Sequence, residues 1–486
     1  MTTVTAGNTS SFQLGPFDTV TVSAGSARGQ FALTSQAPKL VADQVLSVAS
    51  GTFGPWGAPM SVVLSVAQGS VDYTVNTQSL GVAQSVAAAA LVSDAGVYNV
   101  INLAGLRRWR RAFADQLFAA QQIICLGDST TFGTGSAGTG SETNATARAP
   151  SCSGQLKSMF GKLSPRSRDS GYIHDVETDL VTVSNAQAVV TTIGIAGFSQ
   201  GLNSTGPGTL TFAIPPCTYV DLCYWENNDA AIGGTTGTFT YNLDGAGATA
   251  VGAPALSNTF KTITLTVSDS TAVSHSLVVI GTNANSARIL GVRYYDAGGV
   301  CVGRFGKPGW TLADIMGYGV QNLVSAGNRP RIASSLTQYG TGGLLVLPIS
   351  INEFSRQGNG SNTDNGSGET YTSPNYLSAQ LDLAINQWVT AGGCVLLVGP
   401  GQTSAAESNT PSSGAGPTGL KSWTEYLAVL QAKAAAGSNV AYMSFTSRWG
   451  GYTQANTDGL MYDVSHPTRR GYGDQANAIF NVLQVA

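Results

Sequence analysis

Three short stretches combine residue types that can pass a proton and hold an oxyanion. Gly127-Asp128-Ser129 follows the apolar run IICLG. Asp463-Val464-Ser465-His466-Pro467 precedes the last amphipathic run, and ISINEF (349–354) closes the run GLLVLP. A serine at the end of a buried strand, with small neighbours, keeps its hydroxyl accessible, and open α/β sheets place their ligands at that end. Asp463 lies three residues before His466. A turn there brings the carboxylate to the imidazole Nδ1 and leaves Nε2 to take a proton from a hydroxyl. Pro467 suits the first position of the helix that follows. Asn352 is a neutral amide after an apolar strand and can donate to a developing oxyanion without adding charge. Each stretch also has a plain structural reading: a strand-end turn, an aspartate cap beside a surface histidine, and an Asx turn. It is their joint occurrence that points to acyl transfer.

The rest of the chemistry-bearing inventory is sparse. Histidine occurs three times, at His174, His275 and His466. His275 falls inside a strand pattern and reads as structural; His174 sits in a Gly-Tyr loop without an interpretable carboxylate motif. The six cysteines are dispersed, with no CxxC or Cys/His cluster, so no zinc site is expected. Cys125 and Cys394 lie in apolar runs as plain thiols. Cys217 and Cys223 are the one pair close enough in sequence to raise the question of a disulfide.

The elements that must position these residues follow from periodicity. Apolar runs at 121–127, 300–305, 343–350 and 394–399 read as buried parallel strands. Helical patterns at 311–324, 377–391, 422–436 and 469–484 alternate with them, which indicates an α/β domain. Between 176 and 299 the rhythm changes to eight short strand-like runs separated by Gly- and Asn-rich turns, as in a β-sandwich or jelly roll. Residues 1–115 contain FALTSQ, SVVLSVA and VDYTV, strands of a small β-rich domain. The run LRRWRRAFA (106–114), with four arginines, reads as a solvated helix joining that domain to the next. The expected organisation is therefore 1–115, an α/β domain of 116–175 and 300–486, and a β-sandwich of 176–299 inserted into it.

Composition narrows the partners. Only 10% of the 486 residues are charged, against about 25% in an ordinary globular chain, and the net charge is −3. That leaves no basic footprint for nucleic acid. No run approaches the roughly 18 apolar residues of a membrane helix. The first residues, MTTVTAGNTSSFQLG, lack the basic and apolar regions of a secretory leader.

Taken in order, the GDS block, the Asn-bearing loop and the DxxH block before the final helix resemble the SGNH (GDSL-type) hydrolase family. The likeness spans roughly 121–175 and 300–486. It implies a flavodoxin-like three-layer domain, with Ser129 as nucleophile, Asp463 and His466 completing a triad, and no cofactor. The oxyanion hole would comprise the Ser129 N–H, a glycine N–H and Asn352. The third block departs from the family's GxND pattern, since Ser350 stands for the glycine and Glu353 for the aspartate. Two glycines compete for the oxyanion position. Gly309 in GKPGWTLADIM follows a strand and opens a helix, whereas Gly197 in GIAGFSQ is followed by more strand; Gly309 fits better.

The family includes lipases, thioesterases and carbohydrate O-deacetylases. The sandwich, similar to carbohydrate-binding modules, and Trp310 beside Gly309 favour an acetylated polysaccharide; Trp310 has either a sugar-stacking or a core-packing role. The β-rich N-terminal region and low charge also resemble bacteriophage tail proteins that carry enzymes. That analogy implies a virion component acting on a bacterial surface polysaccharide, with 1–115 attaching to tail proteins or forming an oligomer. A general small-ester or lipid esterase, or a polysaccharide-binding structural protein without activity, remain the alternatives.

Overall fold

The computed structural model describes residues 2–14, 19–24, 30–36, 44–47, 51–53, 60–68, 70–76, 100–163, 170–174, 177, 179–184, 195, 198, 200–201, 208–226, 238–251, 259–267, 273–281, 288–319, 334–339, 342–357, 372–408 and 421–485. The chain divides into two compact units, Met1–Asp94 and Ala95–Ala486.

The first unit is built from two four-stranded antiparallel sheets. One runs in the order Thr2–Thr5, Ser70–Asn76, Thr19–Ala24, Gly51–Phe53; the other runs Thr9–Leu14, Met60–Gln68, Gln30–Gln36, Gln44–Ser47. Val20 and Val22, two apart on one strand, are both buried, as are Leu64 and Val66 on another. This is the period-two pattern of a sheet with one face against a core.

The second unit is organised by a five-stranded parallel sheet: β1 (Gln121–Gly127), β2 (Val300–Gly306), β3 (Leu344–Pro348), β4 (Cys394–Gly399) and β5 (Val440–Ser444). The spatial order is β2-β1-β3-β4-β5. It is the 2-1-3-4-5 order of flavodoxin-like sheets, in which the chain reverses direction between the first and third strands and leaves a crevice at their carboxyl ends. The first four strands occupy the apolar runs expected for them. The fifth, VAYMS, is short and poor in β-branched residues, and its periodicity does not separate it from the preceding helix.

Side chains alternate to the two faces of this sheet. Ile123, Cys125, Val346 and Leu396 face a cluster with α1 (Arg107–Ala114), α2 (Cys152–Leu163) and α5 (Arg469–Val485). Ile124, Leu126, Leu345 and Leu397 face α3 (Pro374–Thr390) and α4 (Trp423–Ala436). The helices start where their caps dictate. Pro374 occupies the first turn of α3, with the Ser373 hydroxyl accepting from the Tyr376 N–H, and Ser422 and Glu425 form a reciprocal capping box on α4. Such caps stabilise a helix by about 1 kcal/mol. In α1 the four arginines are exposed. Trp109 between them is fully buried and donates its indole N–H to the Leu483 carbonyl, so this helix is a working part of the second unit's core.

In sequence between β1 and β2 lie two antiparallel sheets. One pairs Gly171–Ile173, Arg288–Tyr295, Tyr219–Glu226 and Thr259–Thr266, with Gln200–Gly201 also on Arg288–Tyr295. The other runs Val181–Ser184, Thr209–Ile214, His275–Gly281, Phe239–Leu243, Thr249–Val251. Val220, Leu222 and Val292 of the first share one buried cluster with Leu210, Phe212 and Val279 of the second, so the sheets face each other. The first sheet turns Cys223, Trp225 and Leu290 the other way, into the cluster that covers the parallel sheet. The strand-like run at 188–195 lies almost wholly outside the described residues. All six cysteines are free thiols. Cys217 and Cys223 enter different clusters, and burial pushes both thiols up to about 12.

Candidate active site

The crevice at the carboxyl ends of β1 and β3 gathers the three stretches. β1 ends at Gly127. Asp128 then caps a single helical turn, Ser129–Phe132, its carboxylate accepting from the Thr130 N–H at 2.8 Å and the Thr130 hydroxyl at 2.7 Å. Asp128 is 2% exposed, and burial raises its carboxyl above the usual range against those bonds. Ser129 thus sits at the first position of a helix, where backbone N–H groups lack intrahelical partners. Two glycines permit this placement. Gly306 of β2 pairs in register with Gly127, and a Cβ on Gly306 would stand 2.2 Å from the Phe132 backbone nitrogen. The turn carrying Ser129 therefore rests directly on β2.

Ser129 Oγ is 2.9 Å from His466 Nε2, and His466 Nδ1 is 2.8 Å from Asp463 Oδ2. Asp463 Oδ1 accepts the backbone N–H groups of Ser465 and His466, each at 2.7 Å. Burial alone would raise this carboxyl, but the bonds from the His466 ring and the two backbone donors outweigh it and hold Asp463 below the usual carboxylate range. An ionised Asp463 fixes the proton on Nδ1 and leaves Nε2 as an acceptor for the Ser129 hydroxyl. The segment is anchored from both sides. Tyr462 N–H donates to the His466 carbonyl at 2.8 Å, and Ser404 N–H, just beyond β4, donates to the Val464 carbonyl at 2.9 Å.

Gly309 and Asn352 follow the two strands that flank β1. Gly309 lies three residues past the end of β2 at φ +77°, a conformation glycine adopts freely. Asn352 lies four residues past the end of β3 and donates from Nδ2 to the Trp310 carbonyl at 2.8 Å. The neighbouring Glu353, 2% exposed, accepts the Leu312 N–H at 2.7 Å; burial pushes its carboxyl up to about 7. Two consecutive side chains of the short helix Ile351–Arg356 therefore clamp the segment that follows β2. Gly197 lies outside the described residues. Trp310 is 8% exposed and belongs to the buried cluster, which is the core-packing role of the two that the sequence allowed.

Ser350, where the SGNH pattern has glycine, holds φ +122° and a fully buried hydroxyl without a hydrogen-bond partner among the described residues. Both features strain the loop. Ser350→Gly is expected to stabilise the protein by about 1 kcal/mol, read as a rise in the denaturation midpoint. A fall would mean that the serine is accommodated without strain.

Sequence reasoning missed Arg304. It lies mid-strand on β2, 8% exposed, donating from Nη1 to the Phe132 carbonyl at 2.7 Å and from Nη2 to Asn144 Oδ1 at 2.9 Å, with Glu177 Oε1 at 3.3 Å. It ties off the turn that bears Ser129. An arginine inside a buried apolar strand was the available signal. The other two histidines are elsewhere. His174 is buried, stacked on Phe198 at 4.2 Å with Nε2 3.0 Å from the Arg304 carbonyl, and His275 Nδ1 is 2.8 Å from Asp244 in the antiparallel region.

No family model matches the chain, and no curated protein is similar to it in sequence. Among solved structures, the one titled "Peptidoglycan O-acetylesterase in action, 5 min" matches with a TM-score of 0.51 and 16% identity, covering 78% of this chain and 97% of that one. The two share a fold. A family two carbohydrate esterase from Cellvibrio japonicus (TM-score 0.23, 10% identity, 65% of this chain and 98% of that one) is also similar. So is the C-terminal CBM6 of a laminarinase from Zobellia galactanivorans (TM-score 0.19, 14% identity, 26% and 98%). Both likenesses are too slight to carry an inference.

Proposed function

We propose that this protein is a serine esterase of the SGNH type that removes O-acetyl groups from a bacterial surface polysaccharide. The observation that carries the reading is the line Ser129 Oγ, His466 Nε2, His466 Nδ1, Asp463 Oδ2, with steps of 2.9 and 2.8 Å at its two hydrogen bonds, set at the switch point of a 2-1-3-4-5 sheet. Ser129 attacks the ester carbonyl while His466 takes its proton, and His466 returns that proton to the departing sugar hydroxyl. Water then repeats the sequence on the acyl-serine and releases acetate. Asp463 keeps the imidazole in the accepting tautomer and balances its charge once protonated. The Ser129 N–H, the Gly309 N–H and the second Asn352 amide hydrogen serve the oxyanion.

The glycan preference draws on the shared fold with a peptidoglycan O-acetylesterase and on the two antiparallel sheets beside the site. By the analogy with tail proteins, the first unit, Met1–Asp94 of the expected 1–115 region, serves as the attachment or oligomerisation region of a virion protein. The test is acetate release from O-acetylated bacterial polysaccharides and peptidoglycan, with Ser129→Ala as control. Release from none of them, or equal release by the control, overturns the reading. In the same assay Asn352→Ala is expected to lower kcat by roughly 10²–10³ with little change in KM. A loss below tenfold would remove Asn352 from the oxyanion hole.

A further inference from the structure

Two of the six exposed large apolar side chains among the described residues flank Asp463 in sequence: Tyr462, 39% exposed, and Val464, 60% exposed. Tyr462 is embedded on one side and open on the other. A Cβ on Gly135 would stand 3.0 Å from Tyr462 Cβ, and one on Gly140 would stand 3.1 Å from its Cε1 and 3.2 Å from its hydroxyl. Both glycines adopt positive φ, +84° and +67°. The ring therefore lies on a bed of bare backbone that no other residue could supply without displacing it. The bed is itself fixed, because Glu142 Oε1 accepts the N–H groups of Ala137, Thr139 and Gly140 at 3.2–3.3 Å. Burial would raise the Glu142 carboxyl, but backbone donors, Gly135 foremost with Glu142, Thr139 and Ala137, outweigh it and lower its pKa. The Tyr462 hydroxyl makes no hydrogen bond among the described residues.

We infer that Tyr462 is the sugar platform of this site: a pyranose ring of the glycan lays its C–H face on the tyrosine while its acetyl group reaches Ser129. The chemistry fits. A pyranose has an apolar C–H face edged by hydroxyls, and Tyr462 offers an apolar ring edged by one free hydroxyl, held in place at little entropic cost. The location fits as well. The ring stands one residue before the carboxylate that orients His466, and its bed is the loop that leaves the Ser129 turn. Trp310, buried in the core, offers no such face. This inference rests on the esterase reading for its substrate but can be tested apart from it.

The experiment compares an O-acetylated oligosaccharide with ethyl acetate, which has no ring to stack. Tyr462→Ala is expected to lower the ratio of kcat/KM for the oligosaccharide to that for ethyl acetate about tenfold, mainly through KM, and Tyr462→Phe to keep most of it. Gly140→Ala, which displaces the ring, is expected to lower the ratio in the same direction. An unchanged ratio in Tyr462→Ala, or equal loss on both substrates, overturns the platform and leaves the tyrosine as a prop for the His466 segment. Calorimetric titration of the oligosaccharide into Ser129→Ala protein, with and without Tyr462→Ala, separates the two claims. Weaker binding without the tyrosine in a protein that never hydrolyses esters would keep the platform and sink the esterase. Binding that ignores the tyrosine, in an active enzyme, would do the reverse.

Discussion

Ser129→Ala and His466→Ala should each lower kcat on an acetyl ester by a factor on the order of 10⁶, with the fold intact. The expectation follows from geometry. The base at the Ser129 hydroxyl is His466 Nε2 at 2.9 Å, while His174 and His275 are bonded elsewhere, to the Arg304 carbonyl and to Asp244. Removing either member removes the same step, so the double variant is expected to be no worse than the singles. Asp463→Asn is more informative still. Its amide oxygen can go on accepting the Ser465 and His466 backbone N–H groups, which leaves an NH₂ facing Nδ1. The imidazole must then carry its proton on Nε2, and loss on the order of 10⁴ is expected from a correctly folded protein. Steady-state acetate release together with thermal melts decides each case. Substantial turnover by Ser129→Ala would end the nucleophile assignment.

Arg304→Met is expected to be the most destabilising single change, at about 3–5 kcal/mol. Its guanidinium fills four needs at once: the Phe132 carbonyl, the Asn144 carbonyl and side chain, and the Glu177 carboxylate, itself 3% exposed. The substitution leaves that carboxylate buried, with Arg148 Nη2 3.7 Å from Oε2 and the His174 ring 3.8 Å from Oε1 as its remaining partners among the described residues. Adding Glu177→Gln should recover part of the loss, because the stranded charge disappears. Arg304→Lys should recover little, since an ammonium cannot reproduce the fork. Because the Phe132 carbonyl closes the turn that begins at Ser129, kcat should fall along with the melting temperature. Stability within 1 kcal/mol of the parent would show that the cluster tolerates a neutral residue there.

Much of this was legible from the chain. Four buried strands and the helices after them are written as apolar runs and as caps such as Ser373 before Pro374. Ser129, Asp463, His466 and Asn352 were reachable because each stands at the end of such an element with an uncommon neighbour. What escaped detection depends on distance in space. VAYMS becomes a strand because β4 offers it an edge, which short-range periodicity does not record. Trp310 reads alike as a platform or as core until its neighbours are known. Arg304 shows locally only as a charge inside an apolar strand, which does not say what it holds, and Tyr462 carries no local pattern. One is defined by a carbonyl far away in sequence, the other by two glycines more than three hundred residues upstream.

The two antiparallel sheets that come between β1 and β2 in sequence also fix an order of assembly. Both sheet neighbours of β1, namely β2 and β3, lie C-terminal to those sheets. At about 5–20 residues per second, a ribosome needs on the order of ten seconds or more to travel from Gly127 to Val300. Throughout that interval IICLG stands as an apolar strand with neither edge paired, while the strands of the two antiparallel sheets emerge one after another and are complete by Tyr295, before β2 begins. The nascent chain can thus complete its antiparallel layer before β1, and Ser129 at its end, is seated in the parallel sheet. Conditions that slow translation or thin out chaperones should penalise yield of this protein through β1, before Ser129 has met His466.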